Sequence, residues 1–207
     1  EIFIENGMEY LLFSVGDRNF QRDPIHLNDI QPVNFDGDYW KKGDVFLSLR
    51  HQSMIILFRP KTNQIIWKGV GKQFLQHDVD IIDEHRISIY NNNAKHFMHI
   101  GETIDGHNEV LIYDFKTNSY ESYLKESLKR EDVRTRSGGM SQILPNGDLY
   151  IEETDFGRTL YFNYDGSLKW SYVNRSNNDS IYAIAWSRIL YKEKDKQNVR
   201  SFLANKV

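Results

Sequence analysis

The chain has 207 residues, 26 Lys and Arg against 29 Asp and Glu, a net charge of -3 and no cysteine. That balance leaves no basic footprint for nucleic acid, and the lack of cysteine excludes disulfides and thiolate metal sites. No apolar run approaches the ~20 residues of a membrane span, whereas 12 Tyr, 12 Phe and 4 Trp favour strands.

In chain order, residues 1–15 contain the strand-like run EYLLFSV, and 16–21 read as a polar loop. Residues 30–35 and Asp36-Gly37-Asp38 read as strand and turn. Strands are expected at 45–49, 54–58 and 64–67, the last two forming a hairpin around 59–63. Two more, 79–82 and 86–90, flank Asp83-Glu84-His85. Residues 94–108 are polar, carry His96, His99 and His107, and read as an insertion loop. Strands at 109–115 and 119–124 flank Lys116-Thr117-Asn118, and KESLKREDVRTR (125–136) reads as a short helix or a solvated connection.

Gly138-Gly139 then opens a further set of strands at 140–144, 148–152, 159–164 and 167–172. Their turns contain Asn146-Gly147, Asp155-Phe156-Gly157 and Asp165-Gly166, and Asn-Gly and Asp-Gly predict type I′ hairpins, which need positive φ at both residues. Residues 174–179 read as a loop, 181–186 as a last strand, and 191–198 as a charged tail turning helical through 199–203.

FRPKTNQIIW (58–67), YDFKTNSYES (113–122) and FNYDGSLKW (162–170) repeat one pattern: apolar strand, polar turn, strand ending in bulk. Lys61 and Lys116 lie roughly 55 residues apart, and each turn is preceded by another strand–turn–strand. Four strands per ~50 residues predict an all-β protein, a β-propeller of four-stranded antiparallel blades. The units run over about 24–70, 74–124 and 137–173, with a closing segment 180–207, in a single domain spanning 1–207. Closed rings have 4–8 blades, so the chain reads as the C-terminal part of a larger ring, with a small four-bladed ring as the alternative.

Three polar clusters interrupt this strand text: His26-Leu27-Asn28, Ser48-Leu49-Arg50-His51-Gln52 and Gln76-His77-Asp78. If the first segment is extended, His26 and Asn28 share a face. His26 and His77 lie one repeat apart, at the same level of neighbouring blades, and Arg50 ends a strand that reaches the same rim. Histidines, an amide and a guanidinium suit a tetrahedral oxyanion. The competing reading is polar residues that cap strand ends.

The H-x-N at His26 and Asn28, the S-x-R-H-Q from Ser48 to Gln52, the strand ending Ile65-Ile66-Trp67 and the Q-H at Gln76 and His77 resemble the arylsulfotransferase family, across roughly 24–190. The resemblance implies a six-bladed propeller that passes a sulfuryl group from an aryl sulfate ester to a phenol, without a nucleotide and without a cofactor. It implies that His77 is the nucleophile that becomes a sulfohistidine, that His26 and Asn28 contact substrate oxygen with His26 as acid or base, and that Arg50 holds the sulfuryl oxygens. A neutral imidazole is a competent nucleophile near neutral pH. The family also uses a histidine from an earlier blade, and none precedes His26 here. The resemblance further implies a periplasmic or extracellular setting; a homodimer is a further expectation.

Asn92, at the end of the His77 unit, is expected to line the channel as a substrate contact, although an asparagine run is more often a turn. Trp40 and Tyr90 are the aromatics expected to stack a phenol. Asp78 is expected to point away from His77. Glu152, Arg158 and Arg188 read as rim charges, with a solvated face for at least one of Glu152 and Glu153. His96 and His99 offer H-x-x-H but no fixed third ligand, so no metal is expected. A non-catalytic propeller that binds a small anion or a protein, and a hydrolase or lyase using His26 and His77, are the rival functions.

Overall fold

The computed structural model describes residues 1–13, 23–97, 101–178 and 180–205. The expected polar loop at 16–21 and His99 lie outside them.

Three four-stranded antiparallel sheets follow one another along the chain. The first is β1 (Leu27–Pro32), β2 (Val45–Leu49), β3 (Met54–Arg59) and β4 (Gln64–Val70), in that spatial order. The second is β5 (Val79–Ile81), β6 (Arg86–Asn91), β9 (Glu109–Asp114) and β10 (Ser119–Tyr123). A two-stranded hairpin, β7 (Ala94–Phe97) and β8 (Gly101–Ile104), is inserted between β6 and β9. The third is β11 (Met140–Ile143), β12 (Leu149–Glu153), β13 (Arg158–Phe162) and β14 (Leu168–Val173). This up-and-down meander, repeated three times, is the blade of a β-propeller, and the chain is a partial propeller.

The sheets stack face to face through apolar layers. Val33, Trp40, Phe46, Ile55 and Leu57 of the first meet Val79, Ile87, Ile89, Leu111 and Tyr113 of the second. Tyr90 and Val110 of the second meet Leu149, Ile151, Leu160 and Phe162 of the third, with Leu128 and Val133 between them. The other face of the first sheet is covered by the N-terminal segment: Met8 and Leu11 pack on Leu47, Leu49, Met54, Ile56 and Phe58. That segment is a short helix, α1 (Ile2–Glu5), and a 3-10 turn (Glu9–Leu12), where the sequence suggested a strand.

Several local expectations change. The insertion 94–108 is a hairpin rather than a loop. KESLKR forms α2 (Lys125–Arg130), which buries Ser127 and Leu128 and is not solvated throughout. Residues 181–186 pair only at an isolated bridge, Arg175 to Ile181, and the tail forms α3 (Glu193–Ala204). The turns at Gly147 and Gly166 have positive φ at the glycine alone, 85° and 82°, so they are not type I′. At the first, Pro145 fixes its own φ near −65°, which suits a type I turn closed by a left-handed Gly. The repeated Lys-Thr-Asn turns match in conformation, with Asn63 at φ 53° and Asn118 at φ 51°.

Candidate functional site

His77 sits just before β5, held on both sides of its backbone. Its amide donates to the Tyr90 carbonyl at 3.0 Å, and its carbonyl accepts from Ser48 Oγ of the first sheet at 2.8 Å. Nδ1 lies 2.7 Å from Asn92 Oδ1, and Nε2 lies 3.0 Å from the amide nitrogen of Gly138. The Asn92 amide group faces two carbonyls, Thr135 O at 3.1 Å and Gly138 O at 2.9 Å, which fixes Oδ1 as the end that meets the histidine. A carboxamide oxygen accepts and a backbone N–H donates, so the imidazole is neutral, protonated at Nδ1, with its lone pair at Nε2.

Burial drives the His77 pKa down from 6.5 to about 4; the Asn92 hydrogen bond opposes this, while the Arg50 and His26 charges add to it. A cavity of 280 Å³ opens beside the ring, lined by Asn28, Asp78, Gly138, Gly139, Met140, Glu152, Thr154, Ala185 and Trp186 as well as His77.

The close approach of Gly138 depends on glycine. Gly138 and Gly139 hold φ of 63° and 85°, and a Cβ on Gly138 would lie 2.6 Å from Thr154 Oγ1. Thr154 Oγ1 accepts from Gly139 N at 2.8 Å and donates to Glu152 at 3.2 Å, which ties the lead-in of the third sheet to β12.

Asn28 Nδ2 donates to the Gln76 carbonyl at 2.8 Å. Its Oδ1 is buried without a hydrogen-bond partner among the described residues, and Asn28 lines the His77 cavity. Arg50 is buried, and its Nη2 donates to both Glu102 oxygens at 2.7 and 2.8 Å. Arg50 Nε is buried with no partner among the described residues. Glu102 comes from the β7–β8 hairpin, in the segment read as a loop.

His26 is placed differently. Its φ is 50°, so the segment is not extended at that residue. Asp23 accepts both its amide at 2.8 Å and its ring Nδ1 at 2.7 Å, and the ring stacks on His51 at 4.6 Å. This local cap turns the chain before β1 and leaves His26 at the solvent edge of the site, not on a shared strand face with Asn28. His77, Asn28, Asn92 and Gly138 are thus brought together; Arg50 and His26 act on His77 through their charge.

Asp78 is buried and accepts from Ser141 N at 2.9 Å, so it braces the third sheet. Burial pushes its carboxyl well above the usual range, and neighbouring Asp80 adds to this. Asp80 is itself pushed up to about 6 by burial.

Trp40 and Tyr90 do not face the site. Trp40 is fully buried against Phe46 and Phe115, and Tyr90 is fully buried with its hydroxyl on Asn108 at 3.0 Å. Nor is either glutamate solvated: Glu152 and Glu153 are both buried. Glu153 pairs with Arg158, and Glu152 accepts from the amides of Trp186 at 3.1 Å and Ser187 at 2.6 Å. Gly138, Glu102 and Trp186 are site residues that sequence reasoning missed, and Glu152, read as a rim charge, is buried in the cavity wall. The Gly-Gly pair was the available signal, since paired glycines before a strand mark close backbone approach.

A larger cavity, 570 Å³, lies elsewhere, between the second and third sheets, lined by Asp80, Arg86, Ser88, Tyr123, Gln142 and Tyr191 among others. No group of three or more His, Asp or Glu suited to a metal occurs among the described residues. No helix among them is long and apolar enough to cross a membrane.

Blades that converge on a buried, neutral histidine define a β-propeller protein with a polar site at the inner strand ends. The sequence model of the arylsulfotransferase (ASST) family matches residues 1–175, and the chain belongs to that family. No curated protein matches the sequence. Among solved structures it is similar to the WD40 β-propeller domain of Doa1, at 16% identity and a TM-score of 0.46, over 74% of this chain and 45% of that one. It is also similar to the PQQ-bound aldose sugar dehydrogenase of Streptomyces coelicolor, at 16% identity and a TM-score of 0.41, over 69% of this chain and 46% of that one. The chain thus spans less than half the length of these structures.

Proposed function

We propose that the His77 site carries sulfuryl transfer from an aryl sulfate to a phenol through a sulfohistidine. The observation that supports this most is the fixed tautomer: Asn92 holds the proton at Nδ1 and leaves the lone pair on Nε2, beside a cavity. In the first half-reaction Nε2 attacks sulfur, the sulfur–oxygen bond to the aryl group breaks, and the phenolate leaves with the bonding pair. The imidazole becomes cationic as the Nε2–S bond forms, and the Asn92 oxygen that accepts Nδ1–H stabilises that charge. A second phenol then attacks sulfur, loses its proton, and returns the lone pair to Nε2. His26, at the edge, is the group proposed to take or give the phenol proton, and Arg50 and Asn28 are proposed to hold sulfuryl and substrate oxygens. Substrates are then small molecules, and the family setting is periplasmic or extracellular.

The Gly138 amide occupies the Nε2 lone pair at 3.0 Å, so attack requires that peptide to move off. Freed, its N–H is a donor beside the new sulfuryl group. The same observation favours a second reading, a non-catalytic propeller that binds a small anion or a protein partner. There both ring nitrogens of His77 stay satisfied, and Arg50 stays paired with Glu102.

Incubation of the full-length protein with 4-nitrophenyl sulfate, with and without a free phenol, decides between them. Phenol-dependent nitrophenol release, with a sulfo group on His77 by mass spectrometry and loss of both in His77→Ala, is the expected result. No label and no release moves the site to the binding reading.

A further inference from the structure

Beyond β14, the chain returns across the third sheet as an extended strap. It is anchored at Tyr182 N on Asn174 O, at 2.9 Å, and at Ile189 N on Gln142 Oε1, at 3.2 Å. Between these anchors the buried Glu152 carboxylate accepts from Trp186 N, Ser187 N and Ser187 Oγ. A buried charge is here committed to setting the path of two residues of strap. The residue it fixes is in an unfavourable conformation: Trp186 has φ 62°, a region that bulky side chains avoid. Trp186 is also 63% exposed, although it lies in the wall of the His77 cavity. A large aromatic held at positive φ and left uncovered is poorly explained by packing alone. The Arg188 guanidinium lies 5.8 Å from its ring centroid, so the ring and a positive charge stand together.

Resting on the reading of His77 as a sulfuryl-transfer centre, we propose that Trp186 is the aromatic wall on which the aryl ring of the substrate stacks, held in place by Glu152. An aryl sulfate combines an apolar ring with an anion. The cavity offers Trp186 for the first, and for the second the Arg188 guanidinium beside that ring and the Gly138 N–H once it leaves Nε2. At 280 Å³ the cavity lies near the ~300 Å³ lower end of small-molecule sites, which is room for an aryl sulfate. Trp186 lies beyond the 1–175 family match and on no repeated strand, so the blade pattern alone does not point to it.

The test separates stacking from chemistry. 4-Nitrobenzenesulfonate carries the same ring and charge but no transferable sulfuryl group, and its binding to the full-length protein is measured by calorimetry and tryptophan quenching. Trp186→Ala is expected to weaken it about tenfold or more, and Trp186→Phe to restore most of the affinity. Inorganic sulfate should bind both proteins alike. Equal affinity of wild type and Trp186→Ala for the sulfonate overturns the stacking role, whatever happens at His77. Trp186-dependent binding without any label on His77 from 4-nitrophenyl sulfate leaves the stacking role standing and overturns the transfer reading. No binding to the wild type overturns the stacking role, and the label on His77 from 4-nitrophenyl sulfate still decides the transfer reading by itself.

Discussion

The amide of Gly138 and Nε2 of His77 face each other at 3.0 Å, so the third sheet's lead-in closes directly on the second sheet's histidine. Gly138→Ala places a Cβ 2.6 Å from Thr154 Oγ1 at a φ of 63°. It is expected to lower stability by about 1–3 kcal/mol and to free Nε2. Thermal unfolding together with the ¹⁵N shifts of the imidazole checks both effects; an unchanged Nε2 shift refutes the contact.

The His77 pKa of about 4 fixes a pH profile. Below 6.5 the unfolded chain takes up a proton that the folded ring refuses until pH 4. Stability from this group is therefore full above pH 6.5 and falls as pH drops toward 4, by up to about 3 kcal/mol. Urea unfolding from pH 4 to 7 of wild type and His77→Gln, which has no proton to gain, isolates the difference. If neutral His77 is the nucleophile, kcat/KM also falls on the acid side with an apparent pKa near 4.

Asn92→Ala removes three hydrogen bonds at once and takes the Asn92 donor from the Thr135 and the part-buried Gly138 carbonyls. Asn108 still donates to Thr135 O at 3.1 Å, so the expected cost is about 2 kcal/mol rather than unfolding. The tautomer preference weakens, because only the Gly138 N–H then favours the Nδ1–H form. NMR should find mixed Nδ1–H and Nε2–H forms of His77, where wild type has one.

Arg158→Ala leaves Glu153, fully buried, with the Arg134 amide in place of an ion pair. Removing one partner of a buried pair costs about 3 kcal/mol or more. Burial already raises the Glu153 carboxyl, so the variant should regain part of its stability as pH falls and Glu153 protonates. Denaturation at pH 5 and pH 8 checks the sign.

The blade repeat was legible because strand alternation and polar turns are written locally. Met54–Arg59 and Gln64–Val70, with the Lys-Thr-Asn turns, could be read directly. His26 was not, because Asp23 bends the chain through a side-chain cap that competes with strand geometry. Trp40 and Tyr90 misled for another reason: aromatics in propeller strands serve the layers between blades as readily as the channel, and composition cannot say which. Trp186 and Glu102 depend on long-range placement, by a strap and by an inserted hairpin, that no local pattern encodes.

Asn92 belongs to the second sheet's end yet holds His77 with its oxygen and the loop before the third sheet with its amide. One side chain thus spans the seam between two blades. The orientation of the imidazole and the spacing of the blades become one mechanical variable, and a tilt of either blade, whatever its origin, is registered as a turn of the histidine ring.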